Sequence, residues 1–309
     1  MSNYDLAVIG GGPAGLAAAT IAYNNHMKFA LITPDLGGKV NYGFALRDRP
    51  AQDSVWGADL VHQFERTMES LPTHHIKEEV SQIVREDDGN FRITLIGAQS
   101  VERTIRSRTV IICTGAKQQR LFIAGEKEYW GRGVSFSAIS HTLYFEGKTP
   151  VIVGYGERML VAALQLASVA KKLYVIPTMA LNSNDLRVSI IRQNPAIEIL
   201  DGWGIQEVVG DEFVTGVMLG KGYEQRLLEV DGVFVQLGLL PNTDFLRNVI
   251  ELDPESGCIP INQRCETSIP GFFAAGDVTN IFAEQVPVAI GEGIKAAVSA
   301  WEYVVTNGK

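Results

Sequence analysis

The stretch Tyr4–Gly15, YDLAVIGGGPAG, constrains this chain more than any other. Leu6, Ala7, Val8 and Ile9 form a short apolar run that reads as a buried parallel strand. Gly10, Gly12 and Gly15 give G-x-G-x-x-G around Pro13 and Ala14, and an Ala-rich helix continues from Leu16 to Tyr23. Each glycine has its own reason. Gly10 lets the chain turn sharply off the strand. Gly12 opens the backbone to a pyrophosphate, and Gly15 lets helix and strand pack closely. The helix N-terminus presents unpaired N–H groups and a partial positive charge to that phosphate. A second apolar strand, Phe29 to Thr33, leads to Asp35. Asp35 falls roughly 20 residues past Gly15, the place for an acid that meets the ribose of an adenine dinucleotide.

The chain has 309 residues, of which 46% are hydrophobic and 20% charged, enough for two domains with cores of their own. A net charge of −8 argues against nucleic acid as a partner. No apolar run approaches the ~18 residues of a membrane span, so no membrane role is expected. The opening MSNYDLAVIG has no basic region and runs straight into the first strand, unlike a signal peptide. Cys113, Cys258 and Cys265 give no paired framework, which fits a reducing cytoplasm.

Further along, Leu60, Phe64 and Met68 predict an amphipathic helix over Asp59–Ser70, and Arg47–Pro50 reads as loop. Strand-like segments at Ile76–Val84, Phe91–Ile96 and Val101–Ile105 suggest a meander covering one side of the first sheet. Arg108–Ala116 is another buried strand, ending in T-G-A. Val151–Gly156 then restarts the opening pattern, with Gly154 and Gly156 followed by an apolar helix from about Arg158. The motif is used twice, which points to two nucleotide-binding folds. Val214–Leu219, Leu227–Val235 and Phe272–Asp277 read as strands, and Pro287–Val304 as the last helix.

Four motifs now stand in order: GGGPAG, TGA at 114–116, GLLPNT at 238–243 and TSIPGFFAAGDV at 267–278. In these the chain resembles the low-molecular-weight thioredoxin reductases and the flavin domain of the alkyl hydroperoxide reductase flavoprotein. QVPVAIGEGIKAAVSA at 285–300 is especially similar to the latter. The resemblance implies an α/β fold of two Rossmann-like domains of the three-layer ββα type, the second inserted into the first. Residues 1–116 and 244–309 would form an FAD domain, and 117–243 an inserted NAD(P)-type domain. It also implies a homodimer. Gly10, Gly12, Pro13, Ala14 and Gly15 match the pyrophosphate loop. Asp35, Gly38, Lys39 and Val40 match the stretch beside the adenosine ribose and towards the flavin. Asp277, after Gly276, matches the acid at the ribityl or pyrophosphate region. Gln285 and Val286 match residues near the pyrimidine edge of the isoalloxazine, and Thr114 and Gly115 complete the implied contacts.

The departures matter as much. Ser137 and Ser140 hold the two positions of the reductases' Cys-x-x-Cys, and hydroxyls ionise too weakly to exchange with disulfides. His141 stands where an Asp is usual and has two readings, a proton donor near the flavin or a packing residue. Met159 replaces the small third residue of the second glycine motif, which should displace the helix or rotate the loop. Ile176–Asn182, where the NADPH phosphate cluster should lie, contains no arginine. The expectation is an FAD-dependent oxidoreductase that neither uses a dithiol nor binds NADPH well. Its second glycine loop would hold another FAD, as in the diflavin-linked disulfide oxidoreductases, and its partner would be a small redox protein such as ferredoxin or thioredoxin. The alternatives are a ferredoxin/flavodoxin–NADP reductase-like enzyme and a non-catalytic flavin-binding sensor or scaffold. The three cysteines read as structural.

Overall fold

A computed structural model describes residues 3–50, 57–97 and 101–307. The chain divides into two compact units. The first comprises Met1–Asn41, Trp56–Lys117 and Leu240–Lys309, and the second Tyr42–Val55 and Gln118–Leu239.

The first unit begins with strand β1 (Asn3–Ile9), helix α1 (Pro13–Asn24) and strand β2 (Phe29–Ile32). Proline opens α1, where its missing N–H costs nothing. β1 and β2 are parallel, in register from Leu6–Phe29 to Ile9–Ile32. Helix α2 (Ala58–Glu69) buries Ala58, Val61 and Met68. Leu60, expected on that face, is 40% exposed. Two steps of four residues overshoot two helical turns by about 80°, so Val61, Phe64 and Met68 share the face and Leu60 does not.

The expected covering meander is corrected. β3 (His75–Ile76) joins the free edge of β2 in parallel. β4 (Glu79–Arg85), β5 (Phe91–Ile96) and β6 (Glu102–Ile112) then extend the same sheet, in the order β3-β2-β1-β6-β5-β4. β6 is one strand where the sequence suggests two. Its first half runs antiparallel to β5 and its second half parallel to β1. The polar residues that make it look broken are satisfied internally: Ser107 Oγ donates to the Thr109 carbonyl at 2.7 Å, and Thr109 Oγ1 to the Asp5 carbonyl at 2.6 Å.

β7 (Ala116–Gln118) carries the chain out of this unit. The second unit contains β8 (Val134–Ser135), α3 (Ala138–His141), β9 (Pro150–Gly154), α4 (Gly156–Ala167), β10 (Leu173–Pro177), α5 (Leu186–Gln193) and β11 (Ile197–Ile199). β12 (Gly204–Gly210), β13 (Val214–Lys221), β14 (Glu224–Glu229) and β15 (Gly232–Gln236) follow. Its main sheet is parallel, ordered β11-β10-β9-β15-β8, beside the antiparallel β12-β13-β14. The single strand expected over Leu227–Val235 is therefore two, because the chain changes sheets at Val230–Asp231.

Residues 42–50 also belong to this second unit, although the sequence places them in the first domain and reads Arg47–Pro50 as plain loop. Phe44 and Leu46 are buried in one core with Tyr144, Phe145 and Met159. Ala45 N–H donates to the Gly131 carbonyl at 2.8 Å, and Lys148 pairs with Asp48 at 2.5 Å. Arg49 donates to the carbonyls of Leu143 and Glu146. Two apolar side chains in a stretch otherwise rich in charge are the anchor, and the charges tie down its rim.

β16 (Leu239–Pro241) leads back to the first unit, where β17 (Phe272–Ala274) pairs in parallel with β6 and α6 (Val286–Thr306) closes the fold. α6 packs directly on α1: a Cβ on Gly293 would overlap the Ala14 carbonyl oxygen. Gly291, nearby on the same helix, has no atom within 4 Å of the equivalent position. Gly293→Ala should therefore lower unfolding free energy in urea by about 1–3 kcal/mol through overpacking. Gly291→Ala should raise it by up to about 1 kcal/mol through helix propensity. Similar effects of the two substitutions would show that the α1–α6 approach is not limiting.

Candidate functional site

In the first unit, three parallel strands end side by side. Gly10 follows β1, Cys113–Gly115 follow β6 and Ala275–Asp277 follow β17. Ligands of parallel α/β sheets bind at this end. Gly10 has φ of 109°, and a Cβ there would overlap the Cys113 carbonyl oxygen. A Cβ on Gly15 would overlap the Gly10 carbonyl, so α1 lies against the turn. Gly12 differs, since nothing lies within 4 Å of its Cβ position. It is also the N-cap of α1 and offers no side-chain cap, which leaves the first-turn N–H groups facing open space.

The other predicted residues converge on this loop. Gly37 N–H donates to the Gly11 carbonyl at 2.8 Å, and a Cβ on Gly38 would lie 3.0 Å from Gly12 Cα. Asp35 is exposed, with its backbone carbonyl accepting from Thr33 Oγ1. Lys39, in the turn Gly38–Asn41, reaches Asp277 at 2.8 Å, and Val40 packs against the core beneath. Thr114 Oγ1 donates to the Asn242 carbonyl, and Asn242 answers with bonds to the carbonyls of Thr114 and Gly115. Gly276 has φ of 80°, and a Cβ there would lie 3.2 Å from Ala14 Cβ. Gln285 is an N-cap without a side-chain bond, so α6 presents a second uncapped N-terminus, where a Cβ on Gly57 would lie 3.1 Å from Val286 Cγ1.

Glu292 and Asn242 belong to this site and escape the sequence reading. Glu292 is buried on α6, and its carboxylate accepts from Gly276 N–H at 2.9 Å and Thr279 Oγ1 at 3.4 Å. Burial pushes its pKa above the usual carboxylate value, against the pull of the Gly276 bond. An acid on the helix face that also carries Ala289, Gly293 and Ala296 is the signal that could have found it. The group the resemblance implies, FAD, fits these residues. The empty space over Gly12 and the uncapped α1 N-terminus suit a pyrophosphate, with anchored polar groups around it.

In the second unit, Ser137 and Ser140, at the positions the resemblance gives to the Cys-x-x-Cys, bond to each other. Ser137 Oγ donates to Ser140 Oγ at 2.9 Å, and Ser137 caps α3. His141 stacks on Phe44 at 4.2 Å with an interplanar angle of 12°, and its Nδ1 lies 2.7 Å from Ser135 Oγ. Burial pushes its pKa down to about 4. The structure thus shows the packing role, and a ring neutral at pH 7 is a poor proton donor.

The second glycine turn repeats the first in part. A Cβ on Gly154 would overlap the Gln236 carbonyl, and the space over Gly156 is open. α4, however, starts at Gly156, two residues after Gly154, whereas α1 starts three after Gly10. Met159 is fully buried in the core where the first fold has glycine. Beyond β10, Met179 stands exposed. Arg187 on α5 is held by Asp185 at 2.8 Å and Glu157 at 2.5 Å, so its guanidinium is already matched with two carboxylates.

All three thiols are free. Burial pushes Cys113 far above the ordinary thiol value and Cys265 up to about 11, and Cys258 is raised as well. Such thiols hold almost no reactive thiolate at neutral pH. Among the described residues, no group of acids, His and Cys could hold a metal ion, and no helix is long and apolar enough to cross a membrane.

Residues 4–293 match the family model of the pyridine nucleotide-disulphide oxidoreductases. The chain belongs to that family. It is 32% identical to the F subunit of alkyl hydroperoxide reductase from Pseudomonas putida, over 98% of this chain and 58% of that protein. Identity to the Staphylococcus epidermidis protein of the same name is 30%, over 98% and 60%. The chain therefore spans about three fifths of the length of these relatives. Among solved structures, thioredoxin reductase from Streptococcus pyogenes superposes with a TM-score of 0.86 at 27% identity, covering 99% of both chains. The Giardia duodenalis thioredoxin reductase gives 0.84 at 28%, covering 99% of this chain and all of that one. The family makes the chain an oxidoreductase and implies FAD as the cofactor.

A pH consequence follows from His141. Its folded pKa lies below the ordinary value of 6.5, so the native state resists protonation. The stability this contributes is present above about pH 6.5 and is lost as pH falls towards 4. His141→Phe should flatten the stability change between pH 7 and 5, measured by urea titration. An NMR titration of the His141 ring that centres near pH 6.5 would contradict the buried, stacked arrangement.

Proposed function

We propose that the chain is an FAD-dependent electron-transfer oxidoreductase of thioredoxin-reductase type that works without a dithiol relay and without NADPH as a good donor. One contrast carries this reading. The elements suited to a flavin dinucleotide converge in the first unit, while Ser137 bonds Ser140 and Arg187 is taken by Asp185 and Glu157. Bound FAD would supply the chemistry of accepting and releasing electrons. The chain's part is to grip and tune it. The α1 N–H groups and the glycine loop would bind the pyrophosphate, and Asp277 a ribityl or phosphate group. The α6 N-terminus would favour negative charge on the reduced ring.

The same reading gives the second glycine turn another FAD. Gly156 leaves its approach open, and FAD has no 2′-phosphate for a guanidinium to clamp. Electrons would then pass to or from a small redox protein such as ferredoxin or thioredoxin, with the enzyme acting as a homodimer. The solved thioredoxin reductases that the chain resembles are named for a partner of that class.

Flavin released by denaturation should approach two per chain, and NADPH under anaerobic conditions should bleach the flavin only slowly. A ratio near one removes the second flavin. Rapid bleaching by NADPH favours an NADP reductase instead, and a colourless protein that takes up no added FAD ends the reading altogether.

A further inference from the structure

We propose that Lys39 is a cationic ligand of the dinucleotide pyrophosphate in the first unit, held in readiness by Asp277. The inference rests on the FAD reading of that unit. Lys39 follows Gly38, whose Cβ position lies 3.0 Å from Gly12 Cα, so its backbone stands beside a glycine of the loop whose own Cβ position is open. Its ammonium is drawn to Asp277 at 2.8 Å, across 238 residues of sequence. The two side chains are 34% and 19% exposed, so the pair lies at the mouth of the site and not in the core.

Three features favour a ligand role over a structural one. First, a partly exposed ion pair contributes little to stability, so the fold does not need it. Second, the anchored partner is Asp277. Its neighbour Gly276 is pinned by the buried Glu292, whereas Lys39 sits on a flexible four-carbon stem. Third, an ammonium has three donors and Asp277 engages one, which leaves N–H groups for phosphate oxygens. The charge balance asks for such a group. A helix N-terminus offers about half a positive charge, and a dinucleotide pyrophosphate brings about two negative ones, each non-bridging oxygen pair being matched best by charged donors.

The test is FAD binding to apoprotein, followed by quenching of flavin fluorescence across a range of salt concentrations. Wild type should bind less tightly as salt rises. Lys39→Met should bind roughly tenfold or more weakly, the loss typical of a hydrogen bond to a charged group, and with a shallower salt dependence. Lys39→Arg should restore most of both, and the apoprotein melting temperature should stay unchanged in both variants. Wild-type affinity and salt dependence in Lys39→Met would overturn the proposal. Equal weakness of Lys39→Met and Lys39→Arg would overturn it too, by showing that shape and not charge matters. Failure of wild type to bind FAD would overturn the reading beneath it, and this inference with it.

Discussion

A carbonyl oxygen stands where the Cβ of Gly10 would be, and the rest of the first unit depends on it. The oxygen belongs to Cys113, at the end of the neighbouring parallel strand. Because β1 and β6 run side by side, the chain leaving β1 must turn within a backbone's width of β6. Only glycine passes there at φ of 109°. The turn delivers α1 with its N-terminus towards the strand ends, and Gly15 lets it settle against Gly10. The second unit repeats the constraint with Gly154 and the Gln236 carbonyl, then diverges. Met159 fills the place of Gly15 with a buried side chain, and the helix begins one residue sooner. One steric rule thus generates both folds, and its third position decides how each helix sits.

Much of this is legible in the sequence because it is local. A strand that must be buried on both faces reads as Leu6–Ile9, and a glycine that must avoid a carbonyl reads as Gly10. What escapes is what depends on partners far along the chain. Ser107 and Thr109 look like a break in a strand until their hydroxyls find carbonyls. Phe44 and Leu46 look like loop residues until the core of the second unit is assembled around them. Leu60 fails for a different reason, since apolar spacing of four drifts round a helix and only packing selects the true face. At the site, the glycines and Asp277 are readable from motif. Glu292 is not, because its meaning lies in a bond to the backbone of Gly276 on another element.

The second unit shows how the polar residues at the positions implied by the resemblance are satisfied within the fold. A buried polar group left unpaired costs more than the same group removed, so such side chains are stable only when they find partners. Here they do. Ser137 and Ser140 satisfy each other and cap α3. His141 gives up charge for a stack on Phe44 and a bond to Ser135. Arg187, in the first turn of α5, is matched by Asp185 and Glu157. None of these groups waits for a ligand.

The first unit has the opposite character. Gly12 faces space that no side chain fills, α1 and α6 begin without side-chain caps, and the Lys39–Asp277 pair spans the rim. Unpaired N–H groups are tolerable where water reaches them and become favourable when an anion replaces the water. The buried Glu292 shows that the fold anchors this rim firmly: a carboxyl is held in the core, against its preference for water, to fix one backbone N–H beside Asp277. The open, braced loop of the first unit and the matched Ser137–Ser140 and Arg187 contacts of the second are the contrast on which the proposed electron-transfer role rests.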